Sequence, residues 1–292
     1  MWKNSLYMTK ILIPTDFSQN SLKSLDYAIE STKKFPVEIS LLWVNSIRSK
    51  DILISESEEM STEKAAVVYL QKIIEEYTPK LPKGSKMSYH IRHGKVHLEV
   101  ANHAKNDRVD LVVCCTHGAS GFEEAYIGSN AYRIVMHCGC PVITVRPNYR
   151  FQASSKIFVM PIDSSVDTRQ KVPFTCRFAK IMNSEIHILG LYTTKRTSSI
   201  RKDVDTFVAQ TEQFLSKEKV KYTTNFREAD NVTKATISYA ESVDADLISI
   251  MTEQESSMLS FLLGTYAQQM LSTSNMPVLS IHPKELFKTS LK

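Results

Sequence analysis

The candidate ligand-binding residues lie in a glycine-bearing loop between two apolar runs. The first run, 111–115, is typical of a buried parallel strand, and a polar loop with Gly118 follows it. Gly128 and Ser129 then precede a helical pattern that begins near Asn130. Glycines let backbone N–H groups approach an anion, and a helix start adds unpaired donors and a favourable dipole. The loop therefore favours a phosphate site along these residues, although tight turns alone would use glycines in the same way.

The cysteines do not have the spacing of a metal site. Cys114 and Cys115 are adjacent, and one residue separates Cys138 from Cys140. A structural zinc site instead uses pairs spaced C-x2-C. Cys114 lies inside an apolar run, where a free cysteine is usually a small buried hydrophobe. We therefore expect no metal ligands among these residues.

The sequence shows no catalytic constellation beside this loop. It has no G-x-S-x-G elbow, no Walker loop with its lysine and no H-E-x-x-H helix. Ser129 has no general base near it in the sequence, and Glu123 and Glu124 fall on a helical pattern where acids are usually solvated. We therefore expect a protein that is not an enzyme, with weak ATP hydrolysis left as a third alternative.

Composition narrows the class of protein. A chain of 292 residues with 42% hydrophobic and 23% charged content is typical of about two globular domains. A net charge of +5, without a Lys/Arg run or an aromatic-basic stripe, gives no support for a nucleic-acid partner. No signal peptide and no apolar run near the roughly 20 residues of a membrane helix is visible. With five cysteines, an odd number, we expect a cytoplasmic protein with no membrane partner.

Strand patterns alternate with helical patterns along the first half. Ser18 or Asn20 can cap the first helix. Such alternation predicts an α/β fold with a doubly wound parallel sheet and helices on both faces. The segment 11–18 is predicted to be a buried strand that ends in a polar turn. The other predicted strands are 37–44, 87–92, 110–115 and 142–145, and the predicted helices include 21–33 and 58–77.

The second half repeats this order. Pro14 matches Pro161, and Pro141 matches Pro277, at offsets of 147 and 136 residues. The first copy therefore carries 11 additional residues, which we place between 46 and 86. We predict two tandem domains, 1–149 and 150–292, each with a mainly five-stranded parallel sheet. The other matching segments of the second copy are 157–165, 185–191, 245–250, 264–265 and 276–281.

The loop resembles the nucleotide loop of the universal stress protein family. ATP-binding members of that family carry Gly, two residues, Gly, nine residues, then Gly and Ser or Thr. Gly118, Gly128 and Ser129 match this pattern, and Cys115 stands in place of the first glycine. The resemblance covers both copies and implies an adenine-nucleotide alpha-hydrolase-like fold and a role in the stress response.

The resemblance implies a site for ATP, with Mg²⁺ bound only together with the nucleotide. Pro14, Thr15 and Asp16 match the turn after the first strand, which holds adenine and ribose in the family. Val44 matches the backbone contact with adenine. Asp16 would accept hydrogen bonds from the ribose hydroxyls, as carboxylates at strand carboxyl ends do in doubly wound sheets. Cys115 brings a side chain into the phosphate volume and penalises any positive φ by about 1–2 kcal/mol.

His117 in the first copy and the matching loop of the second copy complete the comparison. His117 is expected either to contact phosphate or to face solvent. In the second copy Met251 and Gln254 replace both early glycines, and Glu253 brings a negative charge towards any phosphate. Ile162 also replaces the threonine of the first turn, whereas Pro161 and Asp163 remain. We therefore expect a structural second copy and ATP as a regulatory ligand of the first copy only.

The alternative function is a scaffold in which neither copy binds nucleotide. Domains of this family commonly pair through their last strand, so the resemblance implies an internal pseudo-dimer with 142–145 beside 278–281. Such pairing would remove the hazard of an exposed sheet edge. A homodimer and other protein partners remain open, and the helix 58–77 with the segment before it is a candidate partner surface.

Overall fold

The computed structural model describes residues 10–46, 56–118, 127–151, 156–192, 198–252 and 265–283. Side chains at 56–60, 198–200 and 265 are not among the described parts. The chain divides into two compact units, one formed by Met1–Gln152 with Leu271–Pro277 and the other by Ala153–Met270 with Val278–Lys292. Each is described by itself below. None of the described helices is both long enough and apolar enough to cross a membrane.

The first unit contains a five-stranded parallel sheet in the order β3-β2-β1-β4-β5. This order confirms the doubly wound α/β fold. The strands are β1 Lys10–Pro14, β2 Glu38–Asn45, β3 Lys86–His93, β4 Leu111–Cys115 and β5 Val142–Val145. The helices are α1 Gln19–Thr32, α2 Glu56–Tyr77, α3 Val96–Asn106 and α4 Ser129–His137, with a short 3₁₀ turn at Thr78–Lys80.

The central strands are buried on both faces. Ile11, Leu12 and Ile13 of β1 are each no more than 1% exposed, although successive side chains of a strand point to opposite faces. A continuous apolar run is what a strand covered by helices on both sides requires. The apolar runs of the sequence therefore form the buried central strands of the sheet.

The segment 11–18 contains a strand followed by a turn, as predicted. The strand ends at Pro14, and within the turn Phe17 has a φ of 66° in the left-handed region. Ser18 then caps α1, and its hydroxyl accepts a hydrogen bond from the backbone N–H of Ser21 over 3.1 Å. Of the two caps that the sequence allowed, Ser18 is the one used.

The second unit repeats the first in strand order, β8-β7-β6-β9-β10, again parallel throughout. Its strands are β6 Ile157–Ile162, β7 Glu185–Tyr192, β8 Tyr222–Glu228, β9 Leu247–Met251 and β10 Val278–Ile281. Its helices are α5 Val172–Met182, α6 Ser198–Lys217, α7 Val232–Ser242 and α8 Thr265–Thr273, and a 3₁₀ helix at Val166–Lys171 precedes α5.

Matching hydrogen bonds accompany the repeat. The backbone N–H of Lys10 donates to Oδ2 of Asp110 over 3.1 Å, and that of Ile157 donates to Oδ2 of Asp246 over 2.9 Å. These pairs are related by the same two offsets that the proline matches gave. The internal duplication therefore extends from the sequence to the contacts that hold each first strand.

Candidate functional site

The carboxyl ends of β1 and β4 bring Asp16 and Gly118 together. A Cβ atom built on Gly118 would lie 2.5 Å from Oδ2 of Asp16, which is closer than real Cβ contacts occur. The side-chain amide of Asn20 also donates to the Gly118 carbonyl over 3.4 Å. The φ of Gly118 lies outside the left-handed region. Any larger residue here would have to displace the carboxylate of Asp16, which occupies the space beside Gly118.

Gly128 lies against the end of β4 and caps α4. Its N–H donates to the Thr116 carbonyl oxygen over 2.8 Å, and an added Cβ would lie 2.8 Å from the same oxygen. Ser129 and Asn130 form the exposed first turn of α4, which contains no acidic residue. The first turn of a helix has N–H groups without intrahelical partners, and its dipole favours an anion. The predicted helix-start residues are therefore beside the strand end that carries Gly118.

The side chains of the turn after β1 differ in their exposure to solvent. Thr15 is buried: its hydroxyl lies 3.0 Å from Oγ of Ser21 and accepts the Phe17 N–H over 3.1 Å. Asp16 is exposed, and its Oδ1 accepts from the N–H of Ser18 over 3.1 Å and from its hydroxyl over 2.5 Å. Pro14 is half-buried at the end of β1. Asp16 is thus the residue of this turn that presents a carboxylate to the cleft.

Val44 is the buried next-to-last residue of β2. The carbonyl of Leu42 accepts the N–H of Thr15 over 3.0 Å, so the backbone groups of Leu42 face β1. Alternate residues of a parallel strand bond to the same neighbour, and Val44 therefore faces that side too. Because β1 ends at Pro14, the backbone groups of Val44 lie beyond its end, on the side where the cleft opens.

Cys115 ends β4 and is half-buried. Burial raises the pKa of its thiol, opposed by hydrogen bonding from the backbone N–H groups of His117 and Thr116, while Asp16 raises it further. The sulfur thus lies near the start of the loop, where the Thr116 N–H also donates to the Val145 carbonyl over 2.9 Å. The thiol is protonated near neutral pH and occupies volume that a glycine would leave open.

His117 is buried, so the expectation of a solvent-facing histidine was wrong. Its Nδ1 lies 2.9 Å from the Thr116 hydroxyl. Its Nε2 is buried without a hydrogen-bond partner in the described part of the chain. The hydrogen bond to Thr116, within the turn after β4, fixes the ring in the loop.

The second unit has a small cavity at the equivalent strand ends. Asp163 makes the same turn as Asp16: its Oδ1 accepts from the Ser165 N–H over 2.9 Å and from the Ser165 hydroxyl over 2.6 Å. Met251 is buried in the position of Cys115. The lining residues are Pro161, Asp163, Ser165, Thr168, Lys171, Leu191, Val232, Met251 and Tyr266.

Sequence reasoning missed the buried lysine of this cavity. Lys171 is 2% exposed, and its Nζ donates to the Thr168 carbonyl over 2.6 Å and to the Thr168 hydroxyl over 3.0 Å. Its counterpart at the offset of the first strand is Ser24, so the repeat gave no signal for it.

Some predictions concern residues outside the described ranges. They are the acids Glu123 and Glu124, the second-copy residues Glu253, Gln254 and Gly264, and most of the segment 46–57.

The fold and this loop define a class of protein: doubly wound α/β proteins with a cleft at the strand carboxyl ends. Within that class, the universal stress protein family model matches residues 8–146. A universal stress protein of Methanocaldococcus jannaschii is 31% identical over 144 residues, which cover 47% of this chain and 81% of the relative. Universal stress protein YxiE of Bacillus subtilis is 30% identical over 145 residues, covering 47% and 98%. The chain therefore belongs to the universal stress protein family.

A solved structure extends the similarity in fold to the second half. The crystal structure of a universal stress protein from Archaeoglobus fulgidus has a TM-score of 0.73 and covers 96% of this chain and 99% of its own. Its sequence identity is 20%, so the likeness concerns the fold alone.

Proposed function

We propose that this protein acts in the stress response as a non-enzymatic binding protein whose first copy holds one ATP as a regulatory ligand. The observation that carries the proposal is the approach of the Asp16 carboxylate to Gly118 beside the Gly128 cap of α4. A carboxylate and a helix start at the same strand ends are the two groups that a nucleotide needs, for its ribose and for its phosphates.

Groups near the strand ends support each contact of the proposed site. The carboxylate of Asp16, whose Oδ1 accepts from Ser18 within the turn, would accept hydrogen bonds from the ribose hydroxyls. Backbone groups of Val44, beyond the end of β1 and next to Pro14 and Thr15, would bind the adenine edge. The phosphates would lie against Gly118, Gly128, Ser129 and Asn130, and Mg²⁺ would enter with them. No step of catalysis is proposed, and ATP would change contacts with partner proteins.

The second copy is proposed to be structural. Met251 is buried where the family pattern has glycine, and Lys171 bonds to Thr168 below the cavity. We further propose domains 1–149 and 150–292, an internal pseudo-dimer through the last strands, and a cytoplasmic location.

The alternative is a scaffold without nucleotide, and Cys115 favours it. The sulfur lies beside the N–H groups of Thr116 and His117, so it would compete with phosphate for space in the loop. If this competition prevails, the first copy would resemble the second in function.

Nucleotide extraction tests the proposal. The purified protein would be denatured, and released ATP and ADP would be quantified per chain, with Gly128→Trp as the variant that fills the site. About one nucleotide per chain, absent from the variant, is expected. No nucleotide, and no binding of added ATP with Mg²⁺, would support the scaffold instead. Release of phosphate from bound ATP would contradict the non-enzymatic role.

A further inference from the structure

Three metal-ligating side chains meet on one side of the first unit, away from the loop just described. His90 on β3, His103 on α3 and Asp107 directly after α3 have ligand atoms that all lie within 4.8 Å of one another. The imidazole rings of His90 and His103 have centroids 4.5 Å apart. This is the one group of its kind among the described residues.

The fold places the three residues together by its local geometry. His103 and Asp107 are four residues apart at the end of α3, so their side chains lie on one helix face. The N–H of Asp107 donates to the His103 carbonyl over 3.0 Å, which holds the backbone of Asp107 one turn after His103. β3 lies beside β2 in the sheet, and His90 presents its ring towards α3.

The environment of the His103 ring indicates a bound ligand. Its side chain is 1% exposed, yet its Nε2 has no hydrogen-bond partner among the described residues. The nearest carboxylate oxygen, Oδ2 of Asp107, is 3.5 Å away, beyond a normal hydrogen bond. A buried nitrogen without a partner is unusual in a folded protein, whereas a nitrogen that binds a metal is satisfied by it.

We propose that His90, His103 and Asp107 bind a Zn²⁺-class transition-metal ion. Two imidazoles and one carboxylate are ligands that zinc takes, at about 2.0–2.2 Å, whereas Mg²⁺ and Ca²⁺ prefer oxygen ligands. Asp107 is 43% exposed on its side chain and can move to close the ligand distances. Three protein ligands leave a fourth position for water, on the side where His90 is half-buried and Asp107 is exposed.

The surrounding charges limit which cation fits. Arg92 and Lys10 act electrostatically on His103 as cations, and Asp107 acts on it with the opposite sign. Arg92 and Lys10 thus bring two positive charges near the single carboxylate of Asp107. This balance disfavours a metal ion that is held by charge alone. It favours a metal ion that bonds strongly to imidazole.

The metal site lies apart from the proposed nucleotide loop. α3 returns antiparallel to β3, so its last turn lies towards the amino ends of the strands, and Lys10 at the start of β1 acts on His103. Asp16, Gly118 and Gly128 lie at the carboxyl ends. The Zn²⁺ is thus not the Mg²⁺ that would accompany ATP, and its presence does not depend on the proposed function.

The test is a titration of the chelator-treated, full-length protein with Co²⁺ and then Zn²⁺, without nucleotide. Visible absorption of bound Co²⁺ reports the ligand set, and competition gives the Zn²⁺ affinity. We expect one ion per chain, a Co²⁺ spectrum without thiolate charge transfer, and a rise in melting temperature with Zn²⁺, because a metal that binds the folded state stabilises it.

Asp107→Asn and His90→Gln are expected to lower the Zn²⁺ affinity at least about tenfold, since even outer-shell changes cost that much. His90 is half-buried and Asp107 is exposed, so these variants should fold, as circular dichroism would verify. His137→Gln is the matched control: its ring lies 4.7 Å from that of His97, another histidine pair, and it should bind Zn²⁺ like the wild type. Absence of binding, equal affinity in all three variants, or a thiolate spectrum would overturn the proposal.

Discussion

The carboxylate of Asp16 fills the space into which a side chain at Gly118 would project. The distance from Oδ2 to the position of a Cβ would be only 2.5 Å. The loop after β1 and the loop after β4 therefore pack against each other at Oδ2 of Asp16. This fit gives both the reason for a glycine and the place of the carboxylate in the cleft.

The first prediction concerns Gly118→Ala. The added methyl should push the Asp16 carboxylate aside and lower ATP affinity at least about tenfold, equivalent to about 1.4 kcal/mol. Stability should change by less than about 0.5 kcal/mol, because the displaced atom is the end of an exposed side chain. Calorimetric titration and urea unfolding measure the two effects. Gly139→Ala is the control, since nothing lies within 4 Å of its added methyl; equal affinity in both variants would refute the fit.

The second prediction concerns Cys115→Gly. Removing the sulfur from the loop donors should raise ATP affinity, by about tenfold if it frees one good contact. The cost to stability should be about 0.5–1 kcal/mol, because glycine weakens a strand end. Met251→Gly in the second copy should create no binding. An unchanged affinity in Cys115→Gly would show that the thiol is not what limits phosphate binding.

A paired comparison of Asp16→Ala with Asp163→Ala separates binding from folding. Both variants lose the same hydrogen bonds to a serine two residues on. Each should therefore lose about 1 kcal/mol of unfolding free energy. Only Asp16→Ala should also lose ATP binding, measured by equilibrium dialysis. Loss of binding in Asp163→Ala would place nucleotide in the second copy.

Gly190 in β7 should tolerate no side chain. A Cβ there would lie 2.4 Å from Cδ1 of Phe226 and 3.3 Å from Cγ2 of Val208. Gly190→Ala is expected to destabilise the protein by about 1–3 kcal/mol through overpacking. In the Phe226→Ala background the same change should cost clearly less. Additive costs in this double-mutant cycle, measured by urea unfolding, would show that Phe226 is not the obstacle.

Acid should weaken the second unit through His187. Burial lowers the pKa of this ring, against the opposing effect of Glu185, while its Nδ1 lies 2.9 Å from the Tyr239 hydroxyl. The unfolded chain has a histidine pKa of about 6.5 and binds the proton more readily. The stabilisation is therefore complete above about pH 6.5 and is lost as the pH falls below it.

His187→Gln tests this pH dependence. The variant should show a smaller drop in unfolding free energy between about pH 6.5 and 5 than the wild type. Part of the drop should remain, because burial also lowers the pKa of His97 and His103. Identical drops in the two proteins would contradict a role for His187.

Most of the fold follows from the sequence because buried parallel strands are continuous apolar runs. The predicted strand 142–145 is the observed β5, and the predicted 37–44 differs from β2 by one residue at each end. The polar turn after β1 was also predicted from its residue types. The conformation within that turn was not predictable in this way, because Phe17 has a left-handed φ that such a residue rarely adopts.

The sequence indicated the residues of the candidate site. It did not indicate the physical reason for each residue type. The spacing of Gly118 and Gly128 indicated the loop, yet the need for glycine at 118 comes from the Asp16 carboxylate and not from a positive φ. The cluster around His103 escaped notice because His90 lies on a strand. The four-residue spacing of His103 and Asp107 on a helix was the one available signal.

The most direct test of the central claim is photo-crosslinking with an azido-adenine analogue of ATP, followed by mapping of the labelled peptides. If the first copy binds ATP, one label per chain is expected, and ATP should displace it. The label should lie on peptides of the first copy that contain the end of β2 or the turn after β1. A label on peptides of residues 157–283, or no label that ATP displaces, would contradict it.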